Sequence, residues 1–274
     1  MNVDVSVIPA AGHGTRMRPA TRSVPKALLP VVDRPVIQWI VEEGVRAGVS
    51  EFVIVVSPGV EDLLFSHFED MEGLDAVEDL DGVDITWIVQ EEALGLGHAV
   101  LVARDAVGDR PFFCQLGDNM VVPGDDQLGY LRAASDGRSV MLLRELGDPE
   151  LEKYGVIVPG ERSGDRIEVL GAVEKPGVEA APSRFGFVGR YLFTPEVFDQ
   201  LEGAEPGYGG EIQLTDAIAA LGEAGRCLGW IGDADLLDSG TPLGFLESAT
   251  RLGLWHPKTR RAYRGFLDEL VGDA

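Results

Sequence analysis

The sequence predicts an α/β fold organised around a mostly parallel sheet with helices on both faces. Three observations carry this. Val3 to Ile8 is a β-branched apolar run closed by Pro9-Ala10-Ala11-Gly12, which reads as a buried strand entering a tight loop. From there to residue 116, short apolar runs alternate with segments of helical period, as strands joined by crossover helices do. Beyond Asp118 the rhythm changes to strand-like runs separated by Gly, Pro and charged turns, which reads as a more antiparallel half.

Each element follows in order. Pro35 opens VIQWIVEEGVRAG, where Val36, Ile37, Ile40, Val41 and Val45 recur at helical spacing and Gly48 can stop the helix. Phe52 to Val56 is a second strand, followed by a helix near Glu61 to His67, a strand Ile85 to Gln90, a helix Gly97 to Ala106 and a strand Pro111 to Leu116. The second half offers strands at Val140 to Arg144, Tyr154 to Val158, Ile167 to Val173 and Phe187 to Phe193. Helices return at Pro195 to Gln200, Leu214 to Leu221 and Leu243 to Leu254. Thr259 to Val271 is amphipathic and reads as a packing helix, so residues 251–274 form a C-terminal helical extension on a domain spanning 1–250.

At 274 residues the chain suits one large domain or a domain with an elaboration. No apolar run approaches the roughly 18 residues that span a bilayer, and MNVDVSVIPAAG lacks the basic start of a signal peptide. A cytoplasmic protein with no membrane partner is expected. Cys114 and Cys227 stand far apart without a CxxC, which fits reduced thiols, and His13, His67, His98 and His256 show no metal-ligand spacing. The formal charge of -23 argues against a nucleic-acid partner, because phosphate backbones are held by clustered Lys and Arg. A homo-oligomer is compatible with the sequence.

The charge is unevenly spread. Residues 61–92 hold twelve acids and no Lys or Arg, a solvated face; residues 9–34 hold Arg16, Arg18, Arg22, Lys26 and Arg34 against Asp33 alone. A small basic site on an acidic body suits a small anionic ligand. Within that site, PAAGHGTRMRP reads as a strand-to-helix turn whose glycines let the backbone approach a ligand, and clustered N–H groups there can take an anion. Met17 stands where a dinucleotide fingerprint needs its last glycine, and the chain has no Gly-Lys pair for a Walker A loop. What remains is a glycine loop followed by Arg16, able to fork onto phosphate oxygens, and by Lys26 as a mobile point charge. Lysine is scarce here, four against 19 arginines, so Lys26 and Lys175, each beside a proline, stand out. Asp118 closes a hydrophobic strand in QLGD, and Asp238 lies in LLDSGT; Mg²⁺ usually takes one or two carboxylates, completing its shell with water and phosphate.

Taken together, PAAGHGTRMRPATRSVPKALLPVVDRP resembles the N-terminal signature of sugar-phosphate nucleotidylyltransferases, and the chain is most similar to the bacterial UTP-glucose-1-phosphate uridylyltransferase branch. VQEEALGLGHA, LGD, YGVI, VEKP, APSRFGFVGRY, GGEIQLTDAI and DSGTPLGF extend the resemblance to about residue 250. It implies a Rossmann-like three-layer nucleotidyltransferase fold with a mixed, mostly parallel sheet, the sugar-binding half lying roughly in 119–240. It implies transfer of a nucleotidyl group from UTP, or from dTTP, to a sugar 1-phosphate with release of pyrophosphate. By the same resemblance Ala10, Ala11, Gly12, Gly14, Thr15, Gln90 and Gly95 would bind the nucleotide. Arg16, Lys26 and Lys175 would be the catalytic cations, Asp118 and Asp238 would share Mg²⁺, and Gly155, Glu174, Gly189 and Glu211 would take the sugar. Three residues depart from the pattern. His13 replaces an apolar residue, Asn119 makes the strand end GDN, as in the thymidylyl branch, and Pro242 stands where a lysine would meet the sugar phosphate. Either Lys175 alone or Arg184 in APSR is expected to supply that charge.

Overall fold

The computed structural model describes residues 2–69, 80, 82–232 and 236–272. β1 (Val5–Pro9) is followed by the short β2 (Pro30–Val31) and β3 (Arg34–Pro35), α1 (Val36–Arg46), β4 (Glu51–Val56), α2 (Glu61–Glu69), β5 (Asp84–Val89), α3 (Leu96–Leu101), α4 (Arg104–Val107) and β6 (Phe112–Gln115). The second half contains β7 (Asn119–Val121), α5 (Gln127–Ala134), β8 (Ser139–Glu145), β9 (Val156–Ser163), β10 (Arg166–Val173), α6 (Gly177–Ala180) and β11 (Phe185–Phe193). It ends with α7 (Glu196–Glu202), α8 (Leu214–Glu223), β12 (Cys227–Ile231), β13 (Leu236–Asp238), α9 (Pro242–Trp255) and α10 (Arg260–Gly272).

Nine strands make the central sheet in the order β5-β4-β1-β6-β11-β8-β12-β10-β9. β10 and β11 run against the other seven, so the sheet is mixed but mostly of one sense, and every antiparallel pairing in it involves one of these two second-half strands. Side chains alternate across it. Phe52, Ile54 and Val56 of β4 enter one core with Ile37 and Ile40 of α1, Leu131 of α5 and Leu252 of α9. Val53 and Val55 enter the other with Val100 of α3, Phe198 of α7 and Ile218 of α8. Two cores on opposite faces of one sheet give the three layers.

β1 lies between β4 and β6, and the crossovers that flank it use opposite faces: α1 leads to β4, while α3 and α4 lead to β6. In an open α/β sheet that reversal leaves a crevice beyond the carboxyl ends of the strands.

Two details differ from the sequence reading. The glycine loop does not pass directly into an α-helix; residues 15–28 form three single 3₁₀ turns, Thr15–Met17, Ala20–Arg22 and Lys26–Leu28. Pro19 and Pro25, which carry no N–H and fix φ, interrupt any longer helix there. The helix expected over Gly97 to Ala106 is two short pieces, α3 and α4. Of the acids in 61–92, Asp70, Glu72, Asp75, Glu78, Asp79 and Asp81 lie outside the described residues; Asp62, Glu69, Asp84, Glu91 and Glu92 are exposed. Among the described residues no helix is long and apolar enough to cross a membrane.

Candidate active site

The crevice at the ends of β1 and β6 is a cleft of about 320 Å³, lined among others by Ala10, Gly12, His13, Lys26, Gln90 and Asp118. Its floor depends on close backbone contact. Gly117 donates its N–H to Pro9 O at 3.2 Å, and a Cβ on Gly117 would stand only 2.8 Å from that oxygen. Gly14 takes a left-handed φ of 58°, and Thr21 Oγ1 donates to its carbonyl at 2.7 Å, folding the loop back towards Lys26.

At one end Gln90, 5% exposed, continues the line of β5. Its amide nitrogen lies 3.2 Å from Gly95 O and 2.9 Å from His98 Nδ1. Gly95, at φ 103°, packs so tightly on Glu211 that a Cβ would come within 2.6 Å of the Glu211 Cβ. Glu211, expected with the sugar, therefore lines this main cleft.

The charged groups converge in the middle. Lys26 Nζ pairs with Asp118 Oδ2 at 2.5 Å. Ser239 donates both its N–H and its hydroxyl to Asp118 O, at 2.9 and 2.7 Å, and β13 pairs with β7 so that Asp238 faces Asn119. A Cβ on Gly240 would sit 2.7 Å from Asp238 Oδ1 and 3.2 Å from both Arg16 Nη2 and Lys26 Nζ. Arg16, Lys26, Asp118 and Asp238, scattered over the sequence, thus meet at one point. The Tyr154 hydroxyl donates to Asp238 Oδ2 at 3.4 Å; burial first, then the Asp238 charge, pushes this phenol up to about 12, so it remains a donor at neutral pH. The two carboxylates, with no group of three or more His, Cys, Asp or Glu ligands among the described residues, match the donor set Mg²⁺ takes when phosphate and water complete its shell.

Beside this point stand the residues expected for the sugar. Glu174 receives the Thr215 hydroxyl at 2.6 Å and pairs with Lys175 Nζ at 2.8 Å. Gly155 lies against both: a Cβ there would be 2.8 Å from Thr215 Oγ1 and 3.0 Å from Glu174 Oε2. Lys175 adopts a left-handed φ of 47°, and its ammonium sits 5.1 Å from the centre of the Tyr208 ring. Gly189, at φ 85°, has no room for a Cβ beside the Asn119 amide.

Arg184 does not replace the missing lysine. Its guanidinium donates to Asp148 Oδ1 at 2.6 Å and to Leu146 O at 3.2 Å, and it lines neither this cleft nor its neighbour. Pro242 serves a helix instead: it occupies the first turn of α9, which Thr241 caps by accepting the Gly244 N–H at 3.1 Å. A second cavity of about 300 Å³ adjoins Asp238 and brings Arg144 and Arg251 to its wall, neither foreseen from sequence. Also unforeseen is a buried ion pair under the site. Arg190 donates to both Glu43 carboxylate oxygens and, at 2.6 Å, to Asn119 O, the residue after Asp118. An arginine inside the apolar run FGFVGRYLF was the signal, since a buried charge demands a partner.

Comparison with known proteins agrees with this geometry. A family model described as "Nucleotidyl transferase" matches residues 5–252. The chain belongs to the nucleotidyl transferase family. Among its relatives, this nucleotidyl transferase is 38% identical to a UTP--glucose-1-phosphate uridylyltransferase of Staphylococcus haemolyticus, over 97% of each chain. It is equally identical to the enzyme of that name from Bacillus subtilis, over 97% of this chain and 96% of the other. Among solved structures it resembles a UTP-bound UGPase from Acinetobacter baumannii (TM-score 0.84, 31% identity, covering 98% of this chain and 100% of that one). It also resembles a UDP-glucose pyrophosphorylase complexed with UDP-glucose (TM-score 0.81, 29% identity, covering 91% and 98%).

Proposed function

We propose that this chain transfers the uridylyl group of UTP to glucose 1-phosphate, giving UDP-glucose and pyrophosphate. The convergence of Arg16, Lys26, Asp118 and Asp238 beyond β1 and β6 carries the reading, because it is the set needed where two anions must meet. The names of the relatives and the UTP and UDP-glucose in the resembling structures support the substrates.

A non-bridging phosphate oxygen of glucose 1-phosphate attacks the α-phosphorus of UTP; the bond from that phosphorus to the α–β bridging oxygen breaks, and the pair leaves on pyrophosphate. A sugar phosphate has a second pKa near 6, so its oxygen is already a nucleophile and no general base is required. Catalysis is positioning and charge stabilisation. Arg16 grips the triphosphate, and Lys26 turns its ammonium from Asp118 to the crowded phosphates. Asp118 and Asp238 would hold Mg²⁺, which neutralises phosphate charge when bound. Glu174, Gly155 and Gly189 receive the sugar, and Lys175 orients its phosphate. Asn119, which suggested dTTP from sequence, gives its amide to Val188 O at 3.3 Å; UTP is favoured as donor by the relatives' names and the UTP-bound structure.

Pyrophosphate release from a matrix of nucleoside triphosphates and sugar 1-phosphates with Mg²⁺ tests this. UTP with glucose 1-phosphate is expected to give the highest kcat/KM, lost on chelation and in Asp118→Asn and Asp238→Asn. A higher kcat/KM with dTTP, or with another sugar phosphate, would overturn the assignment.

A further inference from the structure

We infer that His98, which lies behind the cleft wall, is a specificity-determining residue that makes Gln90 accept uracil and refuse cytosine. The inference rests on the uridylyl-transfer reading and concerns how that site tells two pyrimidine nucleotides apart.

Gln90 lines the cleft, whereas His98 does not; it sits behind Gln90 in α3, in the segment that follows β5. A glutamine amide can be turned either way, offering a base its oxygen or its nitrogen. Here two groups decide. Gly95 O, 3.2 Å from the amide nitrogen, is an acceptor only, so that position requires the NH₂ end. His98 Nδ1, 2.9 Å from the same nitrogen, takes the second amide hydrogen through an unprotonated Nδ1, which makes His98 the Nε2–H tautomer. Both hydrogens of the NH₂ are then committed to the protein. Gln90 Oε1 has no hydrogen-bond partner among the described residues and is not sealed from solvent. The base therefore meets an acceptor with a fixed direction.

Uracil presents a donor at N3–H, which such an oxygen satisfies. Cytosine presents a bare N3 lone pair, which would face that oxygen and leave two acceptors opposed in a largely buried place. A site whose polar groups are left unpaired by the wrong ligand discriminates strongly. Without the His98 acceptor only Gly95 O resists rotation of the amide, and a turned amide offers its NH₂ to cytosine N3. His98 is thus a positioning residue for Gln90, one shell away from the base.

The test uses the full chain with glucose 1-phosphate, reading the ratio of kcat/KM for UTP to that for CTP, which cancels any loss of active protein within one preparation. His98→Leu is expected to lower the ratio by at least about tenfold, mostly through better use of CTP. His98→Asn is expected to keep it within a few-fold, because Asn Oδ1 can replace Nδ1 as acceptor. An unchanged ratio in His98→Leu overturns the inference, as does an equal loss in both variants, which would mark a packing effect. Should the variants not fold, the wild-type chain bound to UTP decides: Gln90 must contact uracil N3 while its nitrogen stays on Gly95 O and His98, and any other arrangement refutes it. Absence of UTP turnover by the wild-type chain would overturn the uridylyl-transfer reading itself, an outcome distinct from an unchanged ratio.

Discussion

Replacing Arg190 with Met should destabilise the chain far more than a typical surface change, through the charge it leaves behind. Arg190 is fully buried and Glu43 is 4% exposed. Their contacts are Nε to Oε1 at 3.0 Å and to Oε2 at 3.1 Å, and Nη2 to Oε2 at 2.6 Å. Without the guanidinium, Glu43 keeps Gln115 Nε2 at 3.2 Å as its remaining donor, and Asn119 O loses its 2.6 Å bond. Removing one partner of a buried pair costs about 3–5 kcal/mol. For a chain of this size each kcal/mol moves Tm by about 2–4 °C, so a fall of about 6–20 °C is expected. Urea denaturation and thermal melting of wild type, Arg190→Met and Glu43→Gln/Arg190→Met measure it. The double variant should recover at least half of the loss, since Gln in place of Glu43 removes the stranded charge while retaining a polar partner for Gln115. A single variant within about 1 kcal/mol of wild type, the size of an average substitution, or a double variant no better than the single, would refute this account. Because Arg190 also donates to Gly189 O at 3.1 Å, both backbone segments it ties belong to the site, and kcat should fall even where the variant is folded.

Lys26→Ala should reduce kcat by about 10²–10³-fold, the usual loss when one transition-state donor is removed, with circular dichroism unchanged; steady-state pyrophosphate release checks it. Thr215→Val removes the hydroxyl held 2.6 Å from Glu174, so KM for the sugar phosphate should rise several-fold while KM for the nucleotide stays put. Gly189→Ala should be both less stable and less active, since φ 85° disfavours a side chain and the Asn119 amide occupies the space for a Cβ; melting and turnover measured together test this. Asp136, hydrogen-bonded by Arg138 and Arg166, has its carboxyl held far below the ordinary 3.8, chiefly by the Arg138 hydrogen bonds. A carboxyl lowered in this way stabilises the fold above the unfolded value and loses that contribution as pH falls below it. Asp136→Asn should therefore melt slightly lower than wild type at neutral pH, with the gap closing below about pH 3.8; a gap independent of pH would refute the coupling.

How much of this was legible in the sequence depended on whether a residue's role is local. The glycine loop, Asp118 and Gln90 end strands whose apolar runs are plain in sequence, and strand ends beyond a parallel sheet are where ligands gather. Asp238 was legible as a carboxylate, but what brings it to Lys26 is the small ribbon of β7 and β13, each three residues long and too short to show a period. The 3₁₀ path from Thr15 to Leu28 was readable in its prolines, though the glycine loop had suggested a helix.

The residues that escaped are those acting across the fold. Glu43 stands in a helix beside Glu42, a pairing that looks like an exposed acidic face, yet Glu42 turns to Arg34 at 2.9 Å and Glu43 to Arg190, 147 residues away. His98 showed only the lack of metal-ligand spacing in sequence, and its partner, the Gln90 amide 2.9 Å away, appears only in the fold. Arg184 failed for the opposite reason: adjacency to a motif in sequence put it near the sugar, whereas the turn of β11 directs it to Asp148. In each case composition and spacing identified the chemistry a side chain can perform, and only the sheet order settled which other side chain it performs it with. Pro242 is the position where this matters most for function. Position 242 carries no charge, and the cavity beside Asp238 is lined instead by the guanidiniums of Arg144 from β8 and Arg251 from further along α9. Arg144 and Lys175 are both already paired, with Glu150 at 2.5 Å and Glu174 at 2.8 Å; what separates them is that Glu174 also holds the Thr215 hydroxyl against Gly155, the cluster expected to take the sugar. If Lys175 is the cation for the sugar phosphate, as the proposed function has it, Lys175→Ala should raise KM for glucose 1-phosphate far more than Arg144→Ala does, and an equal rise in both variants would refute that assignment.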